Sequence, residues 1–255
     1  IETEEIPQVL KPLKNFAIDK SSETFSNVAL ASYKEFGKTS PVLSLENPPA
    51  GQAIITSGED IRKLVDESRR KFKEKAMSEL GLSESQAKQE AEKLIGATWD
   101  LGHINMMRKF GAGEKELLKE ARHIAPVLKH IHLSDNFGLE HTELPMGMGN
   151  VPTKNIMKIF KEEGKNIEKI NKVIEAGNWY QHFQSTPFGE TLKAFGSPIY
   201  SSGANQFLES RGYFAGYGMN PEIHHSMYGS GFANLPVELG GQMAGRSRLS
   251  GNQME

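Results

Sequence analysis

The sequence contains no cysteine among its 255 residues. Disulfide bonds, thiolate nucleophiles and cysteine-bound zinc are therefore excluded, and a metal ion has to be held by His, Asp, Glu or backbone oxygen. An excess of one charge is also missing, because 30 basic residues stand against 32 acidic ones and the net charge is −2. Proteins that bind nucleic acid usually carry a basic patch and a high pI, so a nucleic-acid partner is not expected.

Long apolar runs are missing as well. No run approaches the roughly 20 apolar residues that a membrane helix needs, and the acidic start carries no visible signal peptide. We therefore expect a cytoplasmic protein without a membrane partner. The first residue is Ile rather than Met, from which we expect that the chain is processed or is a fragment.

Short apolar segments typical of strands alternate with segments of helical spacing. We predict strands at 42–45, 95–99, 129–133 and 167–176, and helices at 22–36, 60–94, 114–128, 153–163 and 189–194. The densely charged segment 60–94 is predicted to form two helices that break at 81–83 and a solvated outer surface. The alternation predicts an α/β fold with a parallel sheet, and only four βα units are visible where a complete barrel has eight.

Every predicted strand ends at or near a carboxylate or an imidazole. These residues are Glu46, Asp100, His132 and Glu175. Because the carboxyl ends of parallel strands converge on one rim of a barrel, we expect the four side chains to lie together. Taken alone, a Glu at a strand end is more often a surface or capping group, and a His there is more often structural. Their recurrence on four consecutive strands favours a site.

Two Glu, one Asp and one His form a hard, oxygen-rich ligand set. Such a set suits Mn²⁺, Mg²⁺ or Co²⁺, and zinc less specifically. A metal there could bind two adjacent oxygens of a hydroxy-ketone and stabilise an enediolate, while a glutamate on each side removes and returns a proton. His103, just past the second strand, could orient a substrate hydroxyl or bind a second metal.

Four motifs, in this order, resemble the xylose-isomerase-like TIM barrels. That superfamily includes sugar epimerases and isomerases, inosose dehydratases, hydroxypyruvate isomerases and endonuclease IV. The resemblance covers about residues 41–198, and the motifs are Leu45-Glu-Asn47, Trp99-Asp-Leu-Gly-His103, His130-Ile-His-Leu-Ser-Asp-Asn136 and Leu144-Pro-Met-Gly-Met-Gly-Asn-Val-Pro152.

The resemblance implies a metal-dependent sugar or sugar-phosphate isomerase or epimerase that acts through a metal-bound enediolate. Carried over residue by residue, it assigns four metal ligands: Glu46, Asp100, His132 and Glu175. Of these, Glu46 and Glu175 are also the catalytic acid/base pair. The substrate-binding residues that we expect are His103, Asn47 and Asp135.

The resemblance also implies that residues 1–197 form the C-terminal half of a barrel, strands five to eight, and that 198–255 form an irregular, Gly-rich and aromatic extension. A half-barrel leaves two open sheet edges. We therefore expect an oligomer, or a missing N-terminal half that is supplied elsewhere.

Two alternatives remain open. An apurinic-site endonuclease of the endonuclease IV type needs Asp and His two residues apart before Leu-Pro, but this chain has His141-Thr-Glu143 there, and Met148 stands where the family pattern has Glu. A non-catalytic truncated barrel, with a tail that mediates assembly, is the other alternative. In that tail we expect His224 and His225 to make packing or loop contacts, since adjacent histidines seldom share a metal.

Overall fold

Helices and strands alternate along the chain as the apolar pattern predicts. The computed structural model describes residues 12–177, Trp179 and 186–196; the predicted extension at 198–255 lies outside this range. The helices are α1 (Leu13–Phe36), α2 (Gly58–Leu80), α3 (Glu84–Leu94), α4 (Leu101–Asn105), α5 (Glu114–Ile124), α6 (Thr153–Glu162) and α7 (Phe188–Ala194). The strands are β1 (Leu43–Glu46), β2 (Ile95–Asp100), β3 (Leu128–Leu133) and β4 (Asn171–Ile174). Short 3₁₀ turns lie at Gly37–Thr39, Met106–Phe110 and Ala125–Val127.

The four strands form one sheet in the order β1-β2-β3-β4. β1 and β2 are parallel, with Leu43 opposite Ile95 and Glu46 opposite Thr98. In a (β/α) barrel, each strand lies beside the next strand of the sequence and a helix connects the two. The four strands here follow that arrangement. The predicted fold class, α/β with a parallel sheet of four βα units, is confirmed.

The start of the first helix differs from its prediction. The spacing of apolar residues predicts a helix from residue 22, but α1 begins at Leu13. The face that α1 buries contains Ser22 and Ser26, whose hydroxyls donate to the carbonyls of Asp19 and Glu23. These serines lie within the predicted helix. None of residues 13–21 is buried, and Leu13 and Phe16 are exposed, so the missed segment lacks the buried apolar stripe that marks a helix in a sequence.

The end of α5 also differs from its prediction. The helix ends at Ile124 rather than at 128, and a 3₁₀ turn with Pro126 leads into β3. Proline has no N–H to donate, and its ring clashes with the carbonyl four residues earlier, so an α-helix does not continue through it. β4 is shorter than predicted, because only Asn171–Ile174 of the segment 167–176 pair in the sheet.

Contacts divide the chain into two compact units, which are described separately. The first comprises residues up to Trp99 together with 119–130. Its core contains helix α2, strand β2 and the end of α5. The largest fully buried side chains here are Phe72, Ile61, Leu94, Ile95, Trp99 and Ile124.

Local signals fix the helices of the first unit where the sequence predicts them. Ser57 caps α2 by accepting a hydrogen bond from the backbone N–H of Asp60. Gly81 ends α2 in the left-handed region, with a φ of 66°, where glycine has no steric penalty. Ser83 and Gln86 then form a capping box that begins α3. The predicted break at 81–83 is confirmed.

The second unit comprises 100–118 and the residues from Ile131 onward. Its core lies among α4, α5, β3 and α6, with Leu101, Ile104, Leu117, Ile131, Met146 and Phe160 completely buried. Among the described residues, no helix is both long enough and apolar enough to cross a membrane.

Glu120 on α5 gives a test of how the first unit is assembled. Its Oε2 atom accepts hydrogen bonds from the backbone N–H groups of Gly58 (2.6 Å) and Glu59 (3.4 Å), which are unpaired donors at the start of α2. We expect Glu120→Ala to lower the free energy of unfolding by about 1–2 kcal/mol, as loss of a helix cap does. Urea unfolding measures this, with the exposed Lys115→Ala on the same helix as control. Equal stability of both variants would contradict the capping role.

Candidate metal centre

Asp100 is the buried end of β2 and the point where the candidate site begins. The residue is completely buried and also caps α4. Its Oδ1 atom accepts hydrogen bonds from the backbone N–H of His103 (2.6 Å) and from the hydroxyl of Ser134 (2.9 Å). These two donors fix the orientation of the carboxylate.

The approach of Ser134 to Asp100 depends on a glycine. The backbone N–H of Gly102 donates to Ser134 Oγ at 3.1 Å. A Cβ atom at position 102 would lie only 2.3 Å from that oxygen, a distance that real Cβ contacts essentially never reach. The sequence Asp100-Leu-Gly-His103 therefore needs its glycine so that the loop after β3 can reach the carboxylate.

The second oxygen of Asp100 faces a histidine and a glutamate from later strands. His132 Nδ1 lies 3.8 Å from Asp100 Oδ2 and 2.8 Å from Glu175 Oε2. One ligand atom of each of the three residues lies within 4.8 Å of the others. The backbone N–H of Glu175 donates to the carbonyl of Leu133, which places Glu175 beside the end of β3.

Burial dominates the electrostatics of this cluster. Burial, with a smaller contribution from the neighbouring Glu175, raises the pKa of Asp100 from 3.8 to about 7, and the hydrogen bonds from His103 and Ser134 oppose this shift. Two carboxylates this close and this poorly solvated repel each other unless a proton or a cation lies between them. With one imidazole added, the donor set fits a divalent cation that prefers oxygen ligands.

Glu46, the remaining predicted ligand, belongs to the first unit. It is the last residue of β1, is exposed, and lies opposite Thr98 in the register with β2. Thr98 precedes Asp100 by two residues on β2. Glu46 therefore lies at the carboxyl end of its strand, and its role as a ligand stays a prediction. Asn47, predicted to bind substrate, is completely buried.

Asp135, another predicted substrate ligand, is occupied by the backbone of its own loop. It is buried, and its carboxylate accepts hydrogen bonds from the backbone N–H groups of Asn136, Gly147 and Val151 at 2.8–3.0 Å. Burial raises its pKa. Since both oxygens already bind backbone donors, the geometry favours a structural role in folding the loop before α6.

His103, predicted to contact substrate, is buried and faces a second histidine. Its Nε2 lies 2.8 Å from Nε2 of His141, and the ring centroids are 4.6 Å apart. His141 Nε2 lies 3.6 Å from a carboxylate oxygen of Glu143. In the sequence, His141-Thr-Glu143 differs from the family pattern only in the order of its residues. Nothing in that order indicates that His141 lies beside His103, so the sequence did not predict this contact.

A polar network that the sequence did not reveal joins the end of α4 to the loop after β3. The side-chain amide of Asn105 donates to the backbone carbonyl of Asn136 (3.2 Å) and to the side-chain oxygens of Asn136 (3.0 Å) and Asn150 (2.7 Å). Arg108 in turn donates to the side-chain oxygen of Asn105 at 2.9 Å. Asparagine is a common residue at helix ends and in loops, so its presence gave no signal of this arrangement.

No family model matches the sequence, and no curated protein matches it. A solved structure that the chain resembles is the crystal structure of a D-tagatose 3-epimerase-like protein, with a TM-score of 0.41 and 20% sequence identity. The match covers 67% of this chain and 52% of that one, so the chain spans about half the length of that protein.

The raised pKa of Asp100 predicts how pH affects the stability of the metal-free chain. In the folded chain Asp100 ionises near pH 7, and in the unfolded chain near its ordinary value of 3.8. Between about pH 4 and pH 7 the folded state therefore holds the extra proton, so its stability falls as the pH rises. Asp100→Asn removes this dependence.

The measurement is the free energy of unfolding of wild type and Asp100→Asn, with chelator, from about pH 4 to pH 8. We expect the variant to gain stability relative to wild type as the pH rises, by at most about 4 kcal/mol, since one pKa unit corresponds to about 1.4 kcal/mol. A difference that does not change with pH would contradict the buried, proton-holding carboxylate.

Proposed function

We propose that this chain holds the metal site of a sugar or sugar-phosphate isomerase or epimerase. The observation that carries the proposal is the convergence of Asp100, His132 and Glu175 from three strand ends, with ligand atoms within 4.8 Å of one another. Glu46, at the end of the first strand, is the fourth ligand in this proposal. The ion is Mn²⁺, Mg²⁺ or Co²⁺, with zinc accepted less specifically.

An ion held by these residues would supply Lewis-acid polarisation of a hydroxy-ketone substrate. Such polarisation acidifies the C–H bond next to the carbonyl, so a carboxylate at the right distance can remove that proton. Loss of the proton gives an enediolate, and return of a proton to the neighbouring carbon or to the opposite face gives the isomer or the epimer. The chain has to provide one base and one acid for these two transfers.

Exposure separates the roles of the carboxylates. Asp100 is completely buried and serves as a ligand alone, whereas the side chain of Glu175 is 33% exposed and can reach a substrate. His132 Nδ1 lies 2.8 Å from Glu175 Oε2, close enough for both residues to bind the same ion. In this proposal Glu175 and the exposed Glu46 are the acid/base pair, one on each side of the substrate.

The four strands correspond, in the same proposal, to strands five to eight of a xylose-isomerase-like barrel. The order of the motifs supports this assignment. A cytoplasmic location and a role in carbohydrate metabolism are part of this proposal.

The nuclease alternative has less support. A protein that binds abasic DNA relies on contacts between basic residues and phosphates, and these contacts make its binding sensitive to salt. The balanced charge of this chain and the His141-Thr-Glu143 sequence both disfavour it. Nicking of an abasic duplex by the purified chain would reverse this preference.

Metal content is the first measurement that tests the site. We expect elemental analysis of the purified chain to find about one divalent ion per chain, and His132→Ala to lower its metal affinity by 10-fold or more, because a ligand is lost. His123→Ala, which removes a histidine of α5 in the first unit, is the matched control. A metal-free wild-type chain, after dialysis against Mn²⁺ and Mg²⁺, would contradict the proposal.

Proton exchange tests the chemistry directly. We expect the metal-loaded chain to exchange the hydrogen next to the carbonyl of a ketose or ketose phosphate for solvent deuterium. A panel that includes D-tagatose, D-fructose and dihydroxyacetone phosphate serves as substrate. Glu175→Gln should reduce the rate about 10²–10⁴-fold, the usual loss when a general base is removed. Glu168→Gln, an exposed change before β4, is the control, and full activity in Glu175→Gln would contradict the assignment.

A further inference from the structure

The two histidines of the second unit face each other through the same ring nitrogen. Nε2 of His103 and Nε2 of His141 lie 2.8 Å apart, with the rings tilted by 59°. A neutral imidazole has one N–H and one lone pair. Since two lone pairs at this distance repel, one Nε2 atom carries a hydrogen and donates it to the other.

The neighbouring carboxylates decide which ring donates. Asp100 Oδ1 lies 3.9 Å from Nδ1 of His103, so a hydrogen on that nitrogen is favourable and a lone pair is not. A neutral His103 with its hydrogen on Nδ1 can only accept at Nε2. Glu143 Oε1 lies 3.6 Å from Nε2 of His141 and favours a hydrogen there. Both carboxylates therefore select the bond from His141 Nε2–H to His103 Nε2.

This arrangement leaves the two histidines with different capacities for a ligand. The side chain of His103 is 10% exposed, and its Nε2 is already bound. The side chain of His141 is 34% exposed, and in this tautomer its Nδ1 carries a lone pair. Among the residues that the structure describes, His141 makes no further hydrogen bond, so Nδ1 is available to accept one from a hydroxyl.

Glu143 places His141 beside the candidate metal centre. Its carboxylate lies against Gly177, where a Cβ atom would be 2.5 Å from Glu143 Oε2. Gly177 follows Glu175 by two residues, in the same unit. The loop that carries His141 is thus held next to the end of β4, where the proposed base lies.

We propose that His141 is the imidazole that contacts the substrate, and that His103 and Glu143 are positioning residues that fix its tautomer. The ligand that fits is a sugar hydroxyl, which donates to Nδ1 of His141. This inference rests on the proposed function and moves the substrate contact from His103 to His141.

Nitrogen-15 NMR of the chain labelled in histidine tests the tautomers without any substrate. Long-range ¹H–¹⁵N correlations identify which ring nitrogen carries hydrogen, and His103→Gln and His141→Gln assign the signals. With chelator present and at a pH where both rings are neutral, we expect hydrogen on Nε2 of His141 and on Nδ1 of His103. Glu143→Gln should increase the fraction of the other His141 tautomer.

Hydrogen on Nδ1 of His141 would overturn the inference at this stage. If both rings carried hydrogen on Nδ1 and both Nε2 signals shifted on adding Zn²⁺, the pair would bind a metal ion instead. Neither result depends on turnover, so the test stands even where the proposed function fails.

Kinetics on the best ketose of the exchange panel test the substrate contact. We expect His141→Gln to raise KM about 10-fold or more with a smaller change in kcat, and His123→Gln, in the first unit, to change neither. Loss of exchange in Glu175→Gln with unchanged KM in His141→Gln would overturn this inference and leave the proposed function standing. No exchange with any ketose would overturn the proposed function itself.

Discussion

The buried carboxylate of Asp100 is the constraint on which the arrangement of the second unit depends. It ends a strand, caps the helix that follows, and receives a hydroxyl and a backbone N–H on one oxygen. A buried carboxylate without such donors would be costly, because burial disfavours its charged form. The donors come from His103 in α4 and from Ser134 just after β3, so these two segments have to meet at this point, and the other oxygen is left facing His132 and Glu175.

The loop after β3 is built in the same way, from side chains that satisfy backbone groups. Asp135 gathers three N–H groups from residues up to 16 positions away, and Leu144 pairs with it through two backbone hydrogen bonds. A hydrogen bond between Asn105, at the end of α4, and Asn150 joins this loop to that helix. Because nearly every buried polar group of this loop has a hydrogen-bond partner, the loop is a stable support for His141 although it forms no helix or strand.

Much of the fold could be predicted, because each strand and helix leaves a local signal. The apolar run of β2, the capping box at Ser83 and the glycine stop at Gly81 all act within a few residues of themselves. The start of α1 could not be predicted, since none of residues 13–21 is buried and this segment therefore leaves no apolar stripe in the sequence. The end of α5 was overestimated because the apolar pattern continues through Pro126 into the strand.

The sequence by itself determined which chemical groups stand at the strand ends: Asp100, His132 and Glu175 follow from alternation and from parallel order, both of which are local or topological. Only the tertiary structure decided what each group touches. It buried Asp135 under backbone donors, placed His141 2.8 Å from His103, and left Glu175 more exposed than Asp100. These outcomes depend on how segments distant in sequence approach one another. That approach, rather than residue type, decides which atoms come within hydrogen-bond distance.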